Sequence, residues 1–546
     1  MQFQVSKPQP KASLVKGLLF SLTLALSWGA GISSTLAAET VIIRLGPFQQ
    51  SVAIADLEKF AKTGKLPEGM EVLSPFLTTE VREFLTKRFS IDPAFADKFI
   101  NELRQTPQGK QIIASLGSAI PGSTVETLQA ALNIALRQFN GLSPIGFLRA
   151  YPQENVTLDA TQLIGLAVEL NPTHLQSQAL GLLLERELSA KSNIPFKAPF
   201  DPATVGNEVV QQQTVNFYDR QRNRTIPVDV YWSRGNPEDP LVVLSHGFGS
   251  NRKSLRYVAN HLASHGITAV AIEHPGSNAI SVNRASDGAN LAQLLPPSEF
   301  IDRPKDVSFV LDELAKLNTQ SEEFQGKFNT EKVSVIGHSL GGYTALALVA
   351  PEINLEELRK FCKDSLNIDK SPGDWLQCTA ASLRDKKLRL QDERVKSAIA
   401  LNPVIGEIFG KKGITQITKP VLIVAGTEDA ITPALKHQLE PFNQLQGEKY
   451  LLTAIGGTHL SISDPASAAY SIVKERRGEE AKSLRRLTQG ITLAFIKQLT
   501  PEAKTYQLFL TPAYAQSLST AELPLRLVSE LPASIKPWLE SGKKQD

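Results

Sequence analysis

Two hydrophobic periods divide the chain. From about 51 to 187, apolar residues recur at helical spacing: Val52, Ala53, Leu57, Phe60 and Ala61, then Val81, Phe84, Leu85 and Phe89, then Leu128, Ala131, Leu132 and Leu136. Asp92-Pro93 and Asn171-Pro172 read as helix starts, a capping side chain followed by proline in the first turn. After a short β-like run at 39–44, these signals predict an all-helical domain over 39–195. The segment 192–207 holds Pro195, Pro199 and Pro202 and marks its end. Beyond it the period changes. Runs at 213–218 and 225–232 predict a β-hairpin. Apolar strands follow at 241–245, 267–272, 333–336, 395–401, 421–425 and 450–455, separated mostly by helical stretches such as 254–264, 304–317 and 476–498. That alternation predicts an α/β unit over 208–510, a mostly parallel sheet with helices on both faces. The charged stretch 352–391 interrupts it, as a cap or as a solvated excursion. Residues 511–546, rich in Pro, Ser and Leu, read as a C-terminal tail.

The chemistry centres on 332–350, KVSVIGHSLGGYTALALVA. A buried strand runs into Gly337-His338-Ser339-Leu340-Gly341, and a small-residue helix follows. This is the G-x-S-x-G turn in its required strand-to-helix setting. It places Ser339 in strained backbone with its hydroxyl above the sheet. A serine needs a base to become a nucleophile. After Ser339 the chain offers only His437 and His459. His437 falls in an expected surface helix. His459 falls in a loop after the last apolar strand, where an imidazole can return over the serine. The acid should follow a strand between the two. Asp429 ends the run PVLIVAGTED, with Glu428 beside it and Asp464 as a weaker alternative. The oxyanion donors expected are the N–H groups of Leu340 and of Phe248, the latter within Ser245-His246-Gly247-Phe248-Gly249. His246 reads as shaping this loop. His261 and His265, four apart on a helix, read as paired surface histidines with no third metal ligand. Glu273-His274-Pro275-Gly276 reads as structural or as pocket wall.

Composition changes the picture little. The 546 residues are 42% hydrophobic and 21% charged, with net charge +3, and no basic run points to nucleic acid. The N-terminus adds a compartment. Lys7, Lys11 and Lys16 precede the apolar stretch 17–32, then Thr35, Ala37 and Ala38. Residues 1–38 thus read as a signal peptide cleaved after Ala37 or Ala38, with an uncleaved membrane tether as the alternative. The expected location is the periplasm or the extracellular space. Cys362 and Cys378 are the only cysteines, and pairing or free thiols both stay open.

The series Leu244-Ser-His-Gly-Phe-Gly249, Leu262-Ala-Ser-His-Gly266, Ala271-Ile-Glu-His274 and the Ser339 elbow resembles the platelet-activating-factor acetylhydrolase and dienelactone-hydrolase-like branch of the α/β-hydrolases. The resemblance covers roughly 210–500. The helical segment ahead of it resembles an uncharacterised domain that precedes such hydrolases. One departure stands out: where acetylhydrolases of that branch carry the acid, this chain has Asn402. The resemblance therefore implies an α/β-hydrolase fold and ester hydrolysis with Ser339, His459 and Asp429. It implies a small-molecule or lipid ester as substrate, peripheral membrane contact as an option, and no cofactor or metal. An acyltransferase using the same acyl-enzyme is the alternative, as is a binding protein whose helical domain carries the main role.

Overall fold

The computed structural model describes residues 38–45, 48–66, 114–138, 143–169, 171–191, 195–285, 294–363, 370–467 and 471–541, with the single residues 82, 85 and 105. The signal segment, apart from Ala38, lies outside them. So do Val81, Phe84, Phe89 and the Asp92-Pro93 helix start. The chain forms two compact units, 1–172 and 173–546.

The first unit is mixed rather than all-helical. Strands β1 (Thr40–Leu45), β2 (Phe48–Ala53) and β3 (Asn155–Asp159) form a sheet in the order β2-β1-β3. Val52 fits the helical period, yet it pairs with Val41 across an antiparallel ladder, and both are buried. The helix begins only at Ile54 and ends at Thr63, closed by Gly64 in the left-handed region. The parallel partner β3 comes from more than a hundred residues away. A local period cannot register that partner, which is why the sheet was not expected. Helices Ile54–Thr63, Val125–Gln138 and Pro144–Arg149 complete a core with Leu57, Leu128, Ile145, Leu148 and Tyr151.

The second unit starts ahead of the proline-rich segment. Helix Pro172–Glu187 packs Leu180 and Leu184 into its larger core. The sheet is nine-stranded. Its strands are β4 (Gln211–Asp219), β5 (Arg224–Trp232), β6 (Leu241–Ser245), β7 (Ala269–Ile272), β8 (Val333–His338), β11 (Val395–Leu401), β12 (Val421–Gly426), β13 (Lys449–Ala454) and β14 (Leu525–Val528). Two short strands, β9 (Ile353–Asn354) and β10 (Lys387–Leu388), form a separate pair. The order is β14-β13-β12-β11-β8-β6-β7-β5-β4. Pairing is parallel from β7 through β13 and antiparallel at both ends. Alternate residues face opposite sides. Val243, Val335 and Ile423 enter one core with helices Glu299–Gln320 and Leu340–Ala347. Val242, Leu244, Ile336 and Val424 enter the other with helices Arg256–Ser264 and Lys482–Lys497. Leu525–Val528 pairs with β13, so the expected tail supplies the last strand of the sheet.

The stretch 352–391 is not a solvated excursion. Ile353, Leu355, Leu358 and Leu376 lie buried in the first core. Its helices Leu355–Phe361 and Pro372–Thr379 are joined by a disulfide between Cys362 and Cys378, with Cα atoms 5.5 Å apart. The second helix is anchored through polar contacts. Ser371 and Asp374 form a capping box, Gln377 Oε1 accepts from the N–H groups of Glu407 and Ile408, and Gly373 N–H donates to Ile431 O. Among the described residues, no helix is long and apolar enough to cross a membrane. Replacing both cysteines by serine should lower stability by about 3 kcal/mol, because the bond closes a loop of sixteen residues. A urea unfolding midpoint compared with that of the parent protein measures this.

Candidate active site

Strand β8 delivers Ser339 into a turn with φ 56° and ψ −117°. Non-glycine residues rarely adopt positive φ, and such strain persists only where the surroundings enforce it. Here they do. Ser339 N–H donates to Leu401 O, and Ser339 O accepts from the N–H groups of Gly342, Tyr343 and Val404. The flanking glycines are required by space. A Cβ on Gly337 would stand 1.9 Å from Gly341 O, and one on Gly341 would stand 2.1 Å from Ser245 O. Gly247 passes over the serine, so that a Cβ there would lie 3.1 Å from Ser339 Cβ.

Asp429 follows β12 and is fully buried. Its Oδ1 accepts from the N–H groups of Ile431 (2.9 Å) and Thr432 (2.7 Å). Its Oδ2 accepts from Asn402 Nδ2, Thr432 Oγ1 and His459 Nδ1, each at 2.8 Å. Burial alone would push this carboxyl up. The His459 charge and these hydrogen bonds outweigh burial and hold it below its ordinary value. For His459, burial disfavours the charged imidazole, but the Asp429 carboxylate prevails and raises its pKa above 6.5. A carboxylate only accepts, so His459 Nδ1 carries the proton and Nε2 keeps its lone pair when the ring is neutral. Asn402 stands where the resembled branch has its acid, and its amide donates to the carboxylate from the next strand. Glu428 and Asp464 do not take that place: Glu428 faces the Arg476 and Lys474 charges, and Asp464 Oδ2 faces Arg256 Nε at 3.7 Å.

The histidine loop is held from two sides. The His338 ring packs on the His459 ring, centroids 4.7 Å apart, and its Nε2–H donates to His459 O at 2.9 Å. Burial pushes His338 down to about 3, so it stays neutral. Thus the residue before Ser339 touches His459 directly. On the other side Leu460 N–H donates to Glu475 Oε2, and Arg476 N–H to Thr458 Oγ1.

The loop after β6 carries the other expected residues. His246 Nδ1–H donates to Gly247 O at 2.7 Å while its Nε2 accepts from His274 N–H at 3.0 Å. Among the described residues, no protein group accepts from the backbone N–H of Phe248 or of Leu340. His274 also bridges Ser245 Oγ and Asp306 Oδ2, which makes it structural. Two histidine expectations need correction. His437 is fully buried, bonded to Ser371 and Asp374, and does not lie on a surface helix. His261 is buried as well, and with His265 it caps the backbone carbonyls of Pro202 and Thr204. Local pattern gave no sign of Glu475 or the role of His338, since each acts on backbone brought from elsewhere in the chain.

Comparisons with known proteins follow this division. Residues 37–159 match the family described as "Alpha/beta hydrolase of unknown function (DUF1400)", and residues 242–469 match "Alpha/beta hydrolase family". Among curated proteins, the chain is similar to platelet-activating factor acetylhydrolase of Cavia porcellus, 22% identical over 265 residues, covering 43% of this chain and 50% of that protein. The namesake in Canis lupus familiaris is 29% identical over 143 residues, covering 21% of this chain and 32% of that protein. The chain thus spans half the length of one relative and about a third of the other.

The close backbone contact at Gly337 gives a direct test. Gly337→Ala should destabilise the fold by about 3 kcal/mol, at the upper end for an overpacked core. Differential scanning calorimetry should show a lower Tm than a Gly117→Ala control, where a Cβ meets open space.

Proposed function

We propose that this member of the α/β-hydrolase superfamily cleaves carboxylic esters, with Ser339 as nucleophile, His459 as base and Asp429 as the acid behind it. The reading is supported by the 2.8 Å contact of His459 Nδ1 with Asp429 Oδ2, by the His459 ring packing on His338, and by the positive φ of Ser339, the residue after His338. With Nδ1 committed to the carboxylate, Nε2 takes the Ser339 proton as Oγ bonds to the ester carbon. The N–H groups of Leu340 and Phe248 receive the resulting oxyanion. The tetrahedral centre collapses, the C–O bond to the alcohol breaks, and His459 returns the proton to the leaving oxygen. Water then adds to the acyl-enzyme by the same route, releasing the acid and restoring Ser339.

The relatives' name speaks of an acetyl ester, and we extend to this chain the class of small or lipid-type esters. Substrate presented at a membrane surface fits that class. Export directed by the N-terminal apolar segment places the enzyme outside the cytoplasm.

Ser339→Ala should lower kcat on a short-chain nitrophenyl ester by about 10⁴-fold or more. Turnover equal to the parent's would refute the assignment. The pH profile offers a second test. A raised His459 must lose its proton to act as base, so kcat/KM should fall as pH drops through a value above 6.5. Asp429→Asn removes the charge that raises it. That variant should lose about 10⁴-fold in kcat and move its residual acid limb to lower pH.

A further inference from the structure

Arg303 heads the fully buried side chains by size among the described residues. A guanidinium with no exposed surface needs partners for its donors. Its Nη1 donates to His246 O at 2.7 Å and its Nε to Ser277 Oγ at 2.8 Å. Its Nη2 reaches Gly247 O at 3.4 Å. The Glu299 carboxylate lies 3.8 Å away, one turn back on the same helix. Burial lowers Arg303 to about 10, which leaves it charged at neutral pH.

We propose that Arg303 is a positioning residue for oxyanion stabilisation, gripping the carbonyls of His246 and Gly247 so that the Phe248 amide is aimed at the substrate; this rests on the ester-hydrolase reading above. In a trans peptide the C=O and N–H point in opposite directions. Pulling Gly247 O toward Arg303 therefore turns the Phe248 N–H away from Arg303, into the space over Ser339. His246 Nδ1–H holds the same carbonyl from a second direction. Donors on a carbonyl also polarise the N–H of the same amide, which strengthens it as a donor.

The helix that carries Arg303 reaches the other donor as well. Pro304 has no N–H, so the carbonyl four residues back, Phe300 O, loses its usual helical donor. Tyr343 Oη donates to that carbonyl at 2.6 Å. Tyr343 lies one turn into the helix that opens with Leu340. One rigid turn, 300–304, thus ties the Phe248 loop and the Leu340 helix together and sets the spacing between their amides.

The test uses the full chain and three measurements: kcat and KM on nitrophenyl acetate, the Kd of an arylboronic acid that mimics the tetrahedral centre, and Ser339 labelling by a fluorophosphonate to count intact sites. Arg303→Met should lower kcat per labelled site about 10²-fold, as for one lost oxyanion donor. KM should stay within about threefold, and boronate affinity should weaken in step with kcat. Arg303→Lys should recover part of both. Ser277→Ala, which releases Arg303 Nε and also the Glu299 carboxylate that Ser277 Oγ holds, should lower kcat about fivefold with the same pattern, a fraction of the loss of a whole donor. It decides the matter should Arg303→Met not fold. Unchanged kcat per labelled site and unchanged boronate affinity in these variants overturn the proposal while an active wild type keeps the hydrolase reading. A wild type that neither turns over the ester nor labels at Ser339 overturns both.

Discussion

Everything at this site depends on keeping one carboxylate ionised without water. Asp429 is fully buried, and an unpaired buried charge would neutralise itself or unfold its surroundings. It stays charged because its two oxygens collect main-chain donors from Ile431 and Thr432, a hydroxyl from Thr432, an amide from Asn402 and the His459 ring. Those partners come from the ends of β11, β12 and β13. Satisfying the carboxylate therefore locks three loops in register, and the imidazole has one orientation open to it. The two linkages carry opposite signs. The depressed Asp429 stabilises the fold above its ordinary pKa and loses that contribution as pH falls through its folded value. The raised His459 stabilises below 6.5 and loses that contribution as pH rises through its folded value. The charged pair is therefore strongest when His459 is protonated, the state in which the ring cannot act as a base.

The strain at Ser339 follows the same logic of enforcement from outside. A positive φ at serine costs on the order of 1–3 kcal/mol. Hydrogen bonds at both its N–H and its carbonyl, and backbone approaches at Gly337 and Gly341 that exclude any side chain, leave no room for relaxation. The core on both sheet faces supplies the rigidity that keeps these contacts fixed.

Much of this was legible from the residues alone. Strand runs with apolar residues on both faces, such as 241–245 and 395–401, declare themselves because burial on both sides leaves no alternation to misread. The elbow declares itself because its motif is contiguous in sequence, and Gly337 answers to a clash with Gly341 O only four residues on. Asp429 and His459 could be placed because both follow strands that are locally plain. What escaped depends on distant partners. β1 and β3 pair across a long stretch of chain, and β14 has four residues whose strand character comes only from β13. His437 looks amphipathic in sequence, yet it is sealed by the anchored helix Pro372–Thr379. Arg303 and Pro304 look like a charged residue and a helix breaker, and only the folded neighbours give either a task.

Asn402 has a wider meaning. β11 and β12 are parallel neighbours, and the side chains just beyond their tips, Asn402 and Asp429, meet at 2.8 Å. One tip holds a buried negative charge and its neighbour holds an amide that answers it, so the polar contact fastens the ends of two strands beyond where their ladder stops.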